Sequence, residues 1–444
     1  MNDIVSPGAE AGDRSSDTKK KDYPKLATLS VLHMAQYFPI TFTGVALPFL
    51  FRQEGLPLEM FWLLALPSFP RWLKFLIALV VDNYGNERIG RRKSWIIPTT
   101  IVAVLLYATL SFFPPTLESI YIIVGILVFG GFIMAAQDIA VDAYAAEAMQ
   151  DHERAVGTSL INVLGSVSSV IGTAAVALVG YFGWEITMFV ASILMLIAAL
   201  PAMVRKEPTP PPATLERLAR GQKADLVKAI KRKDSHYILP FMFMFGMGQL
   251  FFLSMVGPFW ADQGMSIGQY GILAPASAIT GGVLAATLTP WLIERTSMRF
   301  TAIIGLSILP VEAAVYCYFY YVPGIPAMPV LIVTVALLSF STNLYMYTVT
   351  ISRFRWVSKA QAGTDYSMQS SMWNLGVWAA GSTAGLVAGQ FGYMVFFPVA
   401  ALVTMVGGVF YVVKWRDIET MVLAREDGEV REQKTLNGEI GNGN

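Results

Sequence analysis

Two acids and two cations inside otherwise apolar stretches are the residues best placed to do chemistry. Asp138 and Asp142 sit in Ala-Ala-Gln-Asp-Ile-Ala-Val-Asp-Ala, and Arg71 and Lys74 in Pro-Arg-Trp-Leu-Lys. The acids are four residues apart and share one face of a helix. A lone charge in a bilayer costs about 2.5–3.5 kcal/mol on insertion scales, so such charges are paired, functional or both. Two readings stand side by side. One is a structural network fastening the two segments together; the other is a site that binds an anion, carries a proton, or both. At ~1.5 Å per residue, Lys74 lies roughly 12 Å from its segment's end at Asp82, and Asp142 roughly 9 Å from its own end near residue 148. Arg71 and Asp138 come at about 16 and 15 Å on the same measure. Depth therefore predicts the pairs Lys74–Asp142 and Arg71–Asp138.

Other polar residues in apolar segments are candidates to line a solute cavity: His33, Gln36, Tyr37, Gln137, Gln249, Asn343, Tyr347, Asp365, Gln369 and Asn374. So many polar groups cannot all face lipid. His33 titrates near neutrality when unperturbed; a hydrogen-bonded structural histidine is the equal alternative. Glu312 is a lone acid in a tyrosine-rich segment. The stretch Asp82 to Lys93 suggests a latch, with Asp82, Arg88, Gly90, Arg91 and Arg92 as its members. An acid at a helix end there would pair with loop arginines and dock against the other half of the molecule. Three scattered histidines and a single cysteine, Cys317, give no metal-ligand pattern, and no cofactor is expected.

The elements that must position these residues follow from composition. Hydrophobic residues make up 55% of the 444 and charged residues 14%, where a soluble domain carries about 25% charged. Mean hydropathy is +0.53. That excludes an ordinary soluble enzyme and a disordered chain, and a net charge of +1 gives no field for nucleic acid. Apolar segments of spanning length fall near 26–51, 59–81, 95–114, 118–146, 155–181, 184–204, 237–261, 267–292, 299–321, 327–351, 363–388 and 391–413. The fold class is an all-α integral membrane protein with twelve transmembrane helices. The layout is a tail (1–24), a six-helix bundle (25–204), a basic linker (205–236), a second bundle (237–414) and a tail (415–444). No cleaved signal peptide is expected, because the first apolar stretch is long enough to stay in the membrane. Lys and Arg crowd one set of loops, so both termini and the linker are expected in the cytoplasm.

The halves repeat weakly. Gly157-Thr158 and Gly363-Thr364 open the fifth and eleventh segments, and each is followed about 25 residues on by Phe182-Gly183 or Phe391-Gly392. Such a 6+6 pseudo-symmetric arrangement is the mark of the major facilitator type of secondary transporter. The 82–93 stretch resembles that superfamily's G-x-x-x-D-[RK]-x-G-[RK]-[RK] signature, with a short insertion. The strings around Lys74…Asp82 and Gln137-Asp138…Asp142 resemble its AmpG-like branch, which holds muropeptide permeases, acetyl-CoA transporter-like proteins and siderophore importers of the RhtX/FptX type. Leu79 stands where that branch's K-F-[LI]-x-x-P-x-x-D motif has proline. Ala362-Gly-Thr-Asp-Tyr-Ser367 is similar to the siderophore-importer subgroup. The resemblance implies proton-driven movement of a medium-sized polar or anionic solute across a bacterial inner membrane; import by a functional monomer is the leading expectation. The buried charges themselves are expected to give proton coupling through Asp142 or Asp138, and substrate or ion-pair roles for Arg71 and Lys74. A muropeptide or acyl-CoA-type permease, an exporter, and a non-transporting sensor remain alternatives. No nucleotide-binding loop or H-E-x-x-H motif is present, so neither direct ATP drive nor an enzyme is expected.

Overall fold

The computed structural model describes residues 22–86, 88–149, 151–205, 207, 230–322, 324–357 and 362–441. The linker residues 208–229 and the tail residues 1–21 therefore lie outside the described residues, as does the side chain of Asp82. Among the described residues, each of the twelve expected segments coincides with helix, and no strand occurs.

The helices are α1 (Tyr23–Gln53), α2 (the pieces from Leu58 to Asn83), α3 (Lys93–Leu110), α4 (Ile120–Ala148), α5 and α6 (Asp151–Val204, interrupted at Gly183), α7 (Ser235–Leu253 and Val256–Asp262), α8 (Ile267 to Arg295), α9 (Met298–Ser307 and Leu309–Tyr321), α10 (Met328–Arg355), α11 (Ala362–Phe391) and α12 (Tyr393–Gly441). Among the described residues, nine stretches are long and apolar enough to cross a membrane by themselves. That number omits α2 and α11 and takes α5 with α6 as one. The α2 segment is broken because Pro67 and Pro70 supply no backbone N–H. The chain pauses again at Leu73, and Lys74 opens a fresh helical piece. The α11 segment is helical but dense in Ser, Gln, Asn and Gly.

The glycines of the two Phe-Gly pairs do the same job. Gly183 (φ +80°) separates α5 from α6, and Gly392 (φ +75°) separates α11 from α12. Both adopt the left-handed conformation that glycine reaches without steric cost. Residues 153 and 205, at the two ends of the α5–α6 stretch, both bond Asp22, so these helices form a hairpin.

The halves also repeat in their ion pairs. Asp22, before α1, binds Arg205, just past α6, at 2.8 Å. Asp234, before α7, binds Arg425, which follows the apolar part of α12. At the start of α5, Glu153 pairs with Lys25. At the start of α11, Asp365 pairs with Arg232. This face, carrying both terminal segments, is called the tail face below. Helix α12 runs unbroken past residue 414, burying Trp415, Ile418 and Val422, so the first turns of the expected tail belong to the bundle.

On the far face the halves are tied together. Arg52 Nε donates to Asp262 Oδ1 at 2.6 Å, and Gln53 donates to the carbonyl of Met265 at 3.1 Å. Tyr393 donates to the other Asp262 oxygen at 2.8 Å. Helix α11 lies directly on the far half of α2: a Cβ on Gly385 would come within 2.1 Å of the Leu58 carbonyl. The tail-face ion pairs just described each join segments within one half. The molecule is thus sealed between its halves on the far face.

Candidate functional site

The charged residues singled out above do gather, though not in the pairs that depth predicts. Lys74 Nζ bonds Asp138 Oδ2, and Asp142 Oδ1 contacts His33 Nε2 at 3.2 Å. Side-chain direction explains the exchange. A helical side chain leans toward its helix N-terminus, which for α2 is the far face. The long Lys74 stem therefore climbs to the level of Asp138, about one turn above Asp142. Lys74 and Asp138 are largely enclosed, at 24% and 20% exposure, whereas the Asp142 side chain is 63% exposed. Arg71 and His33 both act electrostatically on the Asp138 carboxylate.

The His33 ring lies between two oxygen acceptors. His33 Nδ1 sits 2.8 Å from the Leu29 carbonyl, an acceptor that can only receive a proton. Nε2 faces a carboxylate oxygen. Hydrogen bonds to both would need one proton more than a neutral ring and an ionised carboxylate carry. On the same helix, Gln36 is buried and neither of its amide atoms finds a partner among the described residues.

Above this charged layer, toward the far face, lies a cavity of about 360 Å³ between the halves. Residues of α1, α2, α3 and α4 line one side, and residues of α7, α8 and α11 the other. Arg71 is the one charged residue among them, with Tyr107 and Tyr270 as aromatic edges. A Cβ on Gly131 would come within 2.6 Å of the Pro67 carbonyl, so glycine there lets α4 approach the broken part of α2.

None of the ten residues expected to line a cavity lines this one, because most are engaged by their neighbours. Gln137 is buried and donates to Thr100 at 2.5 Å. Gln249 lies between Trp373 (2.9 Å) and Met346. Asn343 donates to the Ser339 carbonyl, Tyr347 to that of Gly282, and Asn374 to that of Ser370. Asp365 is in the tail-face ion pair with Arg232, and Gln369 is buried. His33, Gln36 and Tyr37 belong to the charged layer, where Asp138, Asp142 and Arg71 act on Tyr37. Glu312 accepts from Thr342 at 3.0 Å.

Of the expected latch residues, Arg92 is tied within its own half. Arg92 donates to Glu147, at the end of α4, at 2.8 Å. The Glu207 carboxylate accepts from the backbone N–H of Arg92 (3.0 Å) and Lys93 (2.9 Å), capping α3 with an anion where its dipole favours one. Gly90 (φ +110°) makes room for it, since a Cβ there would meet the Glu207 carboxylate at 2.3 Å. Arg88 is exposed, and its N–H donates to Asn86 Oδ1 at 2.9 Å. Arg91 is half-buried, and its carbonyl accepts from Ser94 at 2.8 Å. Glu207 and the far-face group of Arg52, Asp262 and Tyr393 carried no local sequence signal beyond Gly90 itself.

A broken-helix bundle in two halves, with charges buried at mid-depth and a cavity between the halves, defines a multi-pass membrane transporter. The chain belongs to the Major Facilitator Superfamily, whose family model matches residues 29–311. Anhydromuropeptide permease of Escherichia coli (strain K12) is 25% identical over 293 residues, 64% of this chain and 58% of the permease. An uncharacterized protein of Haemophilus influenzae is 26% identical over 254 residues, 56% of this chain and 59% of its own length. The chain thus spans somewhat under two thirds of the curated relatives it matches. The permease relative fits the AmpG-like branch. A bacterial homolog of the human lysosomal transporter Spinster, solved inward-facing and occupied, superposes with a TM-score of 0.68 at 13% identity, covering 89% of this chain and 98% of that one. The nucleoside transporter NupG gives a TM-score of 0.64 at 14% identity, over 89% of this chain and 98% of its own.

Proposed function

We propose that this protein is a proton-coupled secondary transporter that imports an anionic solute of medium size across a bacterial inner membrane by alternating access. The tail face is read as cytoplasmic, as the basic loops suggest, and the functional unit as a monomer. The observation that carries the proposal is the charged layer itself. Arg71, without a hydrogen bond or ion pair among the described residues, lines the cavity, Lys74–Asp138 lies beside it, and the His33–Asp142 pair lies beyond that.

A cycle follows from these groups. A solute anion arriving at Arg71 draws Lys74 toward its negative charge. Asp138 loses its closest cation, its affinity for a proton rises, and it takes up a proton that enters from the far side with the solute. Release toward the tail face restores Lys74–Asp138, and the displaced proton passes one helical turn along α4 to His33–Asp142. Asp142, being exposed, exchanges protons with the tail side.

The ferric-siderophore reading rests on the α11 string. The name of the permease relative favours a second reading, a muropeptide, which also bears carboxylates. The test is uptake into proteoliposomes under an imposed pH gradient, with radioiron-loaded carboxylate siderophore and labelled anhydromuropeptide as solutes. Accumulation of either above equilibrium, abolished by a protonophore, supports the proposal. Uptake of both that is indifferent to the gradient refutes it.

A further inference from the structure

The far-half cavity is selective in a way its lining makes explicit. Its 360 Å³ is the liquid volume of about a dozen water molecules. Most of its wall is aliphatic or aromatic. Six lining side chains carry oxygen or nitrogen: Thr43, Ser68, Tyr107, Ser254, Tyr270 and Arg71. Three of these are already engaged. Thr43 donates to the Pro39 carbonyl at 2.8 Å, Ser68 to that of Ala65 at 2.7 Å, and Ser254 to that of Leu250 at 2.6 Å. The Tyr107 hydroxyl lies near Thr43, on the same half as Arg71. Arg71 makes no hydrogen bond or ion pair with any described residue, and Asp138, on which it acts, is taken by Lys74. The Tyr270 hydroxyl, on the opposite half, is likewise without a hydrogen bond to a described residue. Its ring is held by stacking on Phe49 at 4.6 Å.

We propose that this cavity is a binding site for a compact monoanion: a single carboxylate on an aryl or alkyl body of about a dozen non-hydrogen atoms. The forked guanidinium of Arg71 takes the carboxylate, the Tyr270 hydroxyl supplies one further donor, and the apolar wall takes the body. The proposal rests on the transport reading, since it names the class of solute, or of solute end-group, for that same cavity. The lining selects the end-group that enters it on energetic grounds, whatever the rest of a solute carries outside the cavity. Several charges inside would meet no second cation, several hydroxyls would find too few partners, and a neutral end-group leaves Arg71 desolvated and unpaired. Ligation from both halves also means that occupancy ties them together at the far face.

The test uses purified full-length protein in nanodiscs and three probes of one shape family: naphthoate, the neutral naphthamide, and trimesate, which carries three carboxylates on one ring. Binding is read by equilibrium dialysis and by thermal shift. Naphthoate is expected to bind saturably and at least about tenfold more tightly than the other two, the effect of one charged hydrogen bond. Arg71→Gln is expected to remove the preference for naphthoate over naphthamide, and Arg71→Lys to keep part of it. Equal affinity for naphthoate and naphthamide, tighter binding of trimesate, or an intact preference in Arg71→Gln would each overturn the proposal. The wild-type probe series is decisive even if a variant fails to fold. Naphthoate selectivity without gradient-driven uptake sinks the transport reading and leaves this one standing. Gradient-driven uptake without that selectivity does the reverse.

Discussion

Removing Lys74 tests which acid it serves. In the structure Lys74 bonds Asp138 and not Asp142. Truncating one partner of a buried ion pair costs about 3–5 kcal/mol, because the other charge is left without compensation. Here the cost falls toward the low end: both side chains keep about a fifth of their exposure, and Arg71 and His33 still act on Asp138. Lys74→Ala should therefore destabilise by about 3 kcal/mol, and Asp138→Asn by a similar amount. The double variant Lys74→Ala/Asp138→Asn should be less destabilised than the sum, with a coupling of about 1–3 kcal/mol. Lys74→Ala with Asp142→Asn should instead be additive within about 0.5 kcal/mol. Thermal unfolding of the purified single and double variants in detergent, analysed as two double-mutant cycles, reads both couplings. Coupling of Lys74 to Asp142 with none to Asp138 would refute the geometric reasoning and restore the depth-based pairing.

Further outcomes follow from other contacts. Gly131→Leu should push α4 away from the Pro67 carbonyl, 2.6 Å from where its Cβ would lie, and abolish uptake while the protein still inserts, as seen by membrane fractionation. Arg52→Gln should release Asp262 and shift the population toward a far-face-open form, raising labelling of a cysteine placed at Gln53; the exchange Arg52→Asp with Asp262→Arg should lower it again. Unchanged labelling would remove the far-face tie from the account. Glu207→Ala should uncap α3 and cost about 1 kcal/mol or somewhat more, and Gly90→Ala, which crowds the same carboxylate, should mimic it in thermal unfolding. Reporter fusions at residue 220 and at the C-terminus should both read cytoplasmic, and an external signal from either would invert the assigned direction.

How far the sequence disclosed this molecule varies with the physics behind each feature. Hydropathy marks most helices directly, and the Phe-Gly pairs, read as a weak repeat, prove to be matched hairpin turns. The polar α11 and the proline-broken α2 fail a simple hydropathy threshold, yet their length between loops places them. Charges were legible as functional residues because a bilayer makes them expensive, but their pairing was not. Depth along a helix says nothing of the several ångströms by which a lysine stem leans toward the helix N-terminus. The cavity was invisible for the opposite reason. Apart from Arg71 and two tyrosine hydroxyls, its lining is apolar, small or locally satisfied, and reads in sequence as ordinary helix packing. Most of the polar residues that drew attention, Gln36 aside, are instead used within their own half, where buried amides and hydroxyls find partners. Glu207 reaches Gly90 and Arg92 across more than a hundred residues, a separation that no local pattern bridges.

The central claim is that α4 carries the coupled proton. The most direct measurement compares uphill accumulation with solute exchange for the wild type, Asp138→Asn and Asp142→Asn, all in proteoliposomes under one imposed pH gradient. The account predicts that each asparagine variant loses accumulation above equilibrium, and that Asp142→Asn retains exchange of preloaded solute, because Lys74–Asp138 and Arg71 are untouched. Full uphill accumulation by both variants would contradict it.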